Sequence, residues 1–172
     1  MKKIVILISL ILLSGCYKST PTKEVEEYFT KYQTNRININ LDNIIDFKDY
    51  SEEQKEEFLN IMKNNYQNLV YTIKEETINA DKAIVVTEIE VYDYSKKLEE
   101  IERYKEENLI EFMKDGYYSE SKYIDYKIKK LKEVEERIKY TLEIPVSKVD
   151  KKWYVGELTK EYKEKINGVY KY

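Results

Sequence analysis

The sequence predicts an α+β fold in which helices pack on an antiparallel sheet, and three observations support that class. Apolar and polar residues alternate strictly from 138 to 146, as in a strand with one buried face. Residues 69–78 and 83–92 are rich in β-branched and aromatic side chains, which favours two more strands. Apolar residues recur three and four positions apart in other segments, which is typical of amphipathic helices. The sheet is therefore expected to consist of two hairpins, 69–92 and 137–157.

The N-terminus has the pattern of a bacterial export signal. Lys2 and Lys3 precede an apolar run, residues 4–13, which is too short to span a bilayer because a spanning helix needs about 20 apolar residues. The run ends in Leu13-Ser14-Gly15-Cys16, and Cys16 is the single cysteine of the chain. This motif resembles the lipobox of bacterial lipoprotein precursors.

The resemblance implies that the Cys16 thiol receives a diacylglycerol and that residues 1–15, the signal peptide, are then removed. A thiolate is the nucleophile best suited to forming the thioether, and two or three acyl chains such as palmitate hold a protein firmly on a membrane. The expected location is the extracytoplasmic face of the cell membrane, or an outer membrane where the bacterium has one. Residues 16–22 are then a lipidated tether and residues 23–172 a single domain. The alternatives are an ordinary secretory signal with an accidental cysteine and an apolar N-terminus that arose by chance.

Charge and cysteine content indicate which partners the protein can bind and what stabilises it. Removal of residues 1–15 deletes Lys2 and Lys3, leaving 28 basic residues against 33 acidic ones, so that the net charge falls from −3 to −5. Nucleic acid is therefore not expected as a partner, since phosphate binding requires a basic surface. With one cysteine the domain has no internal disulfide, and its stability must come from packing.

Two helices are predicted before the first hairpin. Thr20-Pro21 has the form of an N-cap followed by proline at the first helical position. Ser51 and Gln54 form a capping box at the start of the second helix. The apolar residues at helical spacing are Val25, Tyr28, Phe29 and Tyr32 in the first helix and Phe58, Ile61, Met62 and Tyr66 in the second. Residues 35–49 fit a short helix poorly and a buried connector well, and the pattern leaves their secondary structure open.

The strand patterns also predict which faces are buried. In residues 83–92 one face is expected to carry Val85, Thr87, Ile89 and Val91, and the wet face Glu88 and Glu90. Asn79-Ala80-Asp81-Lys82 predicts a turn longer than two residues. The second hairpin turns at 149–152, where Lys151 stands at a position that often holds glycine, and Trp153 in the return strand is expected to be buried. A short last helix over 159–166 should stop at Gly168.

Residues of about 95–135 are predicted to form a helical hairpin inserted between the two β-hairpins. One helix covers 95–114 and ends at Asp115-Gly116; the second runs from about 121 to 136. The apolar stripes of the two helices are expected to pack against each other and against the flank of the sheet.

The order of these elements, from lipobox to C-terminal helix, resembles small bacterial lipoproteins of unknown function that have a nuclear-transport-factor-2-like, cystatin-like domain. The residues that carry the likeness are Leu69, Tyr71 and Ile73, the stretch 146–155, and Ile166-Asn167-Gly168. The resemblance implies a cone-shaped α+β fold, in which N-terminal helices pack into the concave face of a curved antiparallel sheet. It implies no activity.

Enzyme chemistry finds little support in the residue types present. The chain has no histidine, so it has no histidine-dependent triad and no imidazole metal ligand. Cys16 is committed to lipid, and adjacent carboxylates such as Glu99 and Glu100 diverge on a helix. The sequence also has no glycine-rich phosphate loop. A protein without catalytic residues, cofactor or metal is therefore predicted.

Binding is the function that the sequence favours. Tyr117, Tyr118 and Tyr123, near the tip of the inserted hairpin, are the candidate contacts with a partner such as another envelope protein, because aromatic side chains make effective anchors. The alternative is that these tyrosines pack onto the body of the domain. Two further functions are left open: a carrier of a small apolar ligand in the cone, and, least favoured, a hydrolase or isomerase. An empty cavity favours the carrier, whereas a filled core with an exposed aromatic patch favours the interaction module.

Overall fold

The computed structural model describes residues 19–36, 41 and 45–171, and its architecture confirms the predicted α+β class. The elements in this part of the chain are α1 (Pro21–Gln33), α2 (Glu52–Gln67), β1 (Val70–Asn79), β2 (Lys82–Tyr92), α3 (Tyr94–Glu107), a 3-10 turn (Leu109–Phe112), β3 (Met113–Lys114), β4 (Tyr117–Tyr118), α4 (Glu120–Lys132), β5 (Arg137–Val149), β6 (Lys152–Val155) and α5 (Lys160–Asn167). The predicted signal peptide and Cys16 lie outside the described residues.

Local capping chemistry fixes the helix ends, as the sequence predicts. The backbone N–H of Lys23 donates to Thr20 Oγ1 at 3.3 Å. At the start of α2 both hydrogen bonds of the capping box form. The N–H of Gln54 donates to Ser51 Oγ at 3.2 Å, and the N–H of Ser51 donates to Gln54 Oε1 at 2.9 Å. Each such bond satisfies a donor that the first helical turn would otherwise leave unpaired. Helix α1 begins at the buried Pro21, within the residues 16–22 that are predicted to form the tether.

The main sheet has the strand order β1-β2-β5-β6, with every pair antiparallel. The two predicted hairpins therefore form one sheet, joined along the long β2–β5 pairing. Tyr92 pairs with Arg137 at one end of this pairing, which we call the insertion end. At the other end Lys82 pairs with Ser147, and the N–H of Lys148 donates to Asp81 O at 2.8 Å. The turns of both hairpins meet there, and we call it the hairpin end.

Both hairpin turns contain two residues. The prediction of a longer first turn is wrong: Asn79 pairs with Lys82, and Ala80 adopts a φ of 52°. In the second turn Asp150 and Lys151 have φ values of 49° and 66°. Positive φ at both central residues of this second turn is the type I′ pattern, whose twist matches that of the flanking strands.

The inner face of the sheet and the helices packed on it form the core. The predicted inner face of β2 is confirmed, because Val85, Ile89 and Val91 have no exposed surface. Helix α1 lies on this face, where the Phe29 ring stacks on Tyr71 with centroids 5.2 Å apart. Trp153 is buried, as predicted. Burial of each large apolar side chain stabilises the fold by roughly 1.5–3 kcal/mol.

The outer face of the sheet is polar in its central part. Glu88 Oε1 lies 3.3 Å from Lys74 Nζ, and Glu90 Oε1 lies 2.9 Å from Arg137 Nε. Lys139 Nζ lies 3.8 Å from Glu88 Oε1 and 3.6 Å from Glu90 Oε2. The prediction that this face is wet is therefore confirmed, and cross-strand ion pairs cover it.

The insertion lies between β2 and β5, and its two ends meet where the N–H of Asp93 donates to Glu136 O at 2.9 Å. The predicted helix over 95–114 is too long, because α3 ends at Glu107 and a 3-10 turn and a short β3–β4 ribbon follow. The predicted contact with the sheet's flank is also replaced: α4 packs mainly on α3 and α2. Gln54 Nε2 of α2 donates to Asp125 Oδ1 at 2.7 Å and to Ser121 O at 3.1 Å.

Candidate functional site

Four exposed apolar side chains lie together at the tip of the insertion. Leu109 and Ile110 in the 3-10 turn are 51% and 87% exposed, and Tyr117 and Tyr118 in β4 are 79% and 41% exposed. Strand β4 packs directly against the 3-10 turn. We call these four residues the tip patch. Such clustered apolar exposure marks interaction surfaces more often than scattered single side chains do.

Local backbone chemistry builds the tip. The side chain of Asn108 donates to Tyr104 O at 3.0 Å and ends α3, after which the chain tightens into the 3-10 turn. Asp115 and Gly116, with φ values of 53° and 84°, reverse the chain between β3 and β4. The N–H of Ser119 then donates to Phe112 O at 2.8 Å and closes the ribbon onto the turn.

An aromatic cluster supports the patch from below. The buried Phe112 ring makes edge-on contacts with Tyr123, Tyr126 and Tyr104, with centroids 5.7, 5.4 and 6.4 Å away. Tyr104 and Tyr126 stack on each other at 4.9 Å. These rings join α3, the 3-10 turn and α4, so the patch rests on a packed base.

Tyr123 belongs to this base and not to the surface. It is one of the three predicted contact residues, with Tyr117 and Tyr118, but it is only 2% exposed, and its hydroxyl donates to Glu102. Lys105 Nζ lies 2.5 Å from the same carboxylate and 4.4 Å from the centre of the Tyr123 ring. Tyr117 and Tyr118 are the two predicted contact residues that the structure leaves accessible.

A partly buried lysine extends the polar cluster toward α2. Lys127 Nζ lies 4.9 Å from the Tyr123 ring centroid and 3.5 Å from the Tyr50 hydroxyl. Burial lowers the pKa of Lys127, although Glu102 and Glu120 oppose that shift. Burial, with the nearby charges of Glu120 and Glu102, raises the pKa of Tyr50 to about 12. The Tyr50 hydroxyl therefore remains protonated at neutral pH and acts as a hydrogen-bonding group.

Shallow grooves flank the insertion, and two of them border other parts of the domain. One, of about 220 Å³, lies between α2 and α4 and is lined by Ile61, Tyr94, Leu131 and Val134 with polar residues around them. The other, of about 170 Å³, lies where the insertion joins the sheet and is lined mainly by charged side chains. Across the described residues, no three His, Cys, Asp or Glu side chains come close enough together to hold a metal ion. Within the same residues, no helix is both long and apolar enough to cross a membrane.

The sequence pattern did not single out Leu109 and Ile110, because both lie within the continuous helix predicted over 95–114. The available signal was Asn108, whose side chain can end a helix by bonding the carbonyl four residues back. Nor did the sequence pattern single out Lys127, since only the fold brings Tyr50 beside it.

Comparison with known proteins gives a structural likeness and no family match. A scan of protein-family models found no match, and a search of curated proteins found none either. The solved structure of a candidate lipoprotein (ycdA) from Bacillus subtilis subsp. subtilis str. 168 is similar to this chain, with 15% sequence identity and a TM-score of 0.46. The match covers 90% of this chain and 48% of that one, so this chain spans about half the length of the protein it matches. A likeness of this degree supports no functional conclusion.

Proposed function

We propose that this protein is a lipid-anchored protein of the extracytoplasmic face of the bacterial envelope. The Leu13-Ser14-Gly15-Cys16 motif, placed directly after an apolar run, carries this proposal. The Cys16 thiol forms the thioether to lipid, and the mature chain begins there. In the cone-shaped, cystatin-like arrangement that the sequence resembles, helix α1 then enters the concave face of the sheet soon after the anchor.

Replacing Cys16 with alanine tests the anchor. Wild-type protein in its host should incorporate a radioactive fatty acid and mature to the shorter form. The Cys16→Ala variant should incorporate none and retain the precursor length, because it lacks the only thiol that can form the thioether. Equal labelling of the two proteins would contradict the proposal.

The anchored domain acts, in this proposal, as a non-catalytic interaction module whose contact surface is the tip patch. The observation that carries it is the exposure of Ile110 and Tyr117 on a base of packed aromatic rings. A rigid apolar and aromatic surface loses little entropy on binding, which is the usual property of contact hot spots. The partner that fits is another envelope protein with an apolar recess.

The packing of the inner sheet face favours this function over a ligand carrier. Val25 and Phe29 of α1 and Met62 of α2 have no exposed surface, and their side chains occupy the space that a carried ligand would need. A filled core combined with an exposed aromatic patch is the arrangement expected of an interaction module. For the hydrolase or isomerase alternative, no specific observation on the described residues speaks in its favour.

Site-specific crosslinking in the native membrane tests the tip patch. A photo-crosslinking amino acid at Tyr117 should capture a defined partner, and the second substitution Ile110→Asp should abolish that product. Because Ile110 is 87% exposed, this change should alter the unfolding free energy by no more than about 0.5 kcal/mol. The matched control is the same probe at Val70, which is 54% exposed at the insertion end of the sheet. Identical products at both positions, or a product that survives Ile110→Asp, would sink the proposal.

A further inference from the structure

A second group of exposed apolar side chains lies at the hairpin end of the sheet. Among the described residues, nine large apolar side chains are exposed; four form the tip patch and four, Ile78, Ile84, Val149 and Tyr154, lie beside the two hairpin turns. Ile84, Val149 and Tyr154 share the outer face of the sheet. Pro145, Ser147 and Val149 are two residues apart along β5 and therefore point to the same face. Ile84 pairs with Pro145 and Tyr154 pairs with Ser147, so both lie on that face too.

Basic side chains surround these residues. Lys82 pairs with Ser147 and Lys152 pairs with Val149, so both lie on the same outer face, and Lys151 stands in the turn between β5 and β6. In the described part of the chain, these three lysines form no ion pair. The glutamates in the central part of this face, by contrast, are matched by lysine or arginine. The outer face of the hairpin end is therefore a basic and apolar patch on an acidic protein, with Asp81 and Asp150 beside it in the two turns.

The path of the chain brings the lipid anchor to this end. The N–H of Trp153 in β6 donates to Ser19 Oγ at 3.2 Å, so the first described residue lies at the free edge of β6. Only Tyr17 and Lys18 separate Ser19 from Cys16. Three residue steps span at most about 11 Å even when fully extended. Acylation places the backbone of Cys16 at the membrane surface. Ser19, at the edge of β6, therefore lies within roughly 11 Å of that surface.

We propose that the outer face of the hairpin end, formed by Lys82, Ile84, Val149, Lys151, Lys152 and Tyr154, docks on an anionic lipid bilayer. This inference rests on the proposed acylation of Cys16. The lysines neutralise lipid phosphates, while the valine, isoleucine and tyrosine side chains enter the headgroup region. Short tethering makes the two surfaces meet at a high effective concentration, so weak contacts are enough to orient the domain.

Spin labels on the acylated mature protein in vesicles test the docking. Because acylation consumes Cys16, a Val149→Cys label is the single free thiol, and a Val70→Cys label is the matched control. The two valines are 56% and 54% exposed and lie at opposite ends of the sheet. The vesicles contain phosphatidylcholine either alone or mixed with phosphatidylglycerol, and accessibility is measured to oxygen and to an aqueous nickel chelate.

In the mixed vesicles the label at residue 149 should gain oxygen accessibility and lose access to the nickel chelate, while the label at residue 70 should not change. Neutralising the three lysines with Lys82→Gln, Lys151→Gln and Lys152→Gln should reduce the ratio of docked to undocked protein about a hundredfold, since each lysine contributes roughly fivefold near an anionic surface. Circular dichroism of the triple variant checks that it is folded. A second triple variant on the insertion, Lys114→Gln, Lys122→Gln and Lys129→Gln, should leave docking intact.

Two results would overturn the inference. One is equal chelate access at residues 149 and 70 in the mixed vesicles. The other is protection at residue 149 that is the same in both kinds of vesicle and indifferent to the lysines. Fatty-acid labelling of Cys16 and crosslinking from Tyr117 are measured separately. A failure of docking is thus distinguishable from a failure of the anchor or of the tip patch.

Discussion

Replacing Gly168 with alanine should destabilise the fold by about 4 kcal/mol, because two costs add. Gly168 ends α5 with a φ of 70°, and an L residue in that left-handed region costs roughly 1–2 kcal/mol. The added Cβ would lie only 2.0 Å from the carbonyl oxygen of Tyr92 in β2. Forcing a methyl group into such a packed contact costs roughly 1–3 kcal/mol more.

The backbone around Gly168 has little freedom to relax. The N–H of Ser95 donates to Gly168 O at 2.9 Å, and the N–H of Tyr92 donates to the buried Asn65 Oδ1 at 3.1 Å. Asn65 Nδ2 also donates to Ile166 O at 3.0 Å. Moving Tyr92 away from the new methyl group would therefore break hydrogen bonds of a buried network, whose polar groups are costly to leave unpaired.

Gly116→Ala is the matched control for this change. Gly116 also has a positive φ, 84°, but no atom lies within 4 Å of the position its Cβ would occupy. The unfolding free energy of this variant should fall only by the cost of placing an L residue in the left-handed region, about 1–2 kcal/mol. In thermal unfolding, Gly168→Ala should lower Tm by roughly 10 °C, at about 2–4 °C for each kcal/mol. Equal losses in the two variants would refute the close packing of α5 on β2.

Two further predictions concern the insertion and its contact with the 45–50 segment. Phe112→Ala should lower the unfolding free energy by about 3–5 kcal/mol, because the ring fills the centre of the aromatic cluster. The control Tyr117→Ala, at the exposed tip, should change it by no more than about 0.5 kcal/mol. Similar losses for the two variants in denaturant titrations would show that the cluster is not the base of the tip. The unfolding free energy should fall as the pH rises from 10 to about 12, because burial raises the pKa of several tyrosines and the folded chain keeps their protons over a range in which the unfolded chain releases them. Tyr50 is one of them, with its pKa raised from 10.0 to about 12. Tyr50→Phe should reduce that fall, and a fall of the same size in this variant and in the wild type would count against the burial of Tyr50.

The sequence was most informative where the chemistry is local. Thr20 and Ser51 each bond a backbone N–H three residues ahead, so their cap positions depend on neighbouring residues alone. The buried faces of β2 and β5 follow from the period of two in their side chains, which the packing of one face on helices makes unambiguous. These features, together with the burial of Trp153, could be predicted without knowledge of distant contacts.

The features that the sequence did not reveal depend on residues far apart in the chain. The first hairpin turn is short because β5 pairs with β2 up to Lys82, and the N–H of Lys148 bonds to Asp81 O. The Tyr123 hydroxyl can be buried because it donates a hydrogen bond to Glu102, which lies 21 residues earlier in the chain. The 3-10 turn is held where Phe112 meets rings from both α3 and α4. Helical periodicity alone could not separate these side chains from an ordinary apolar stripe.

The two proposed surfaces are placed so that each can act without hindering the other. Strand β2 has 11 residues, so the hairpin end and the insertion end of the sheet are roughly 35 Å apart at about 3.3 Å per residue. The chain enters the insertion only after crossing that distance, and α4 then packs on α2 through Gln54 and Asp125. A domain held to the bilayer by its hairpin end would therefore carry the insertion on a braced helix pair instead of a loose loop. Docking at one end would in this way limit how the tip patch can be presented, which would favour recognition of a partner that approaches the membrane in a defined orientation.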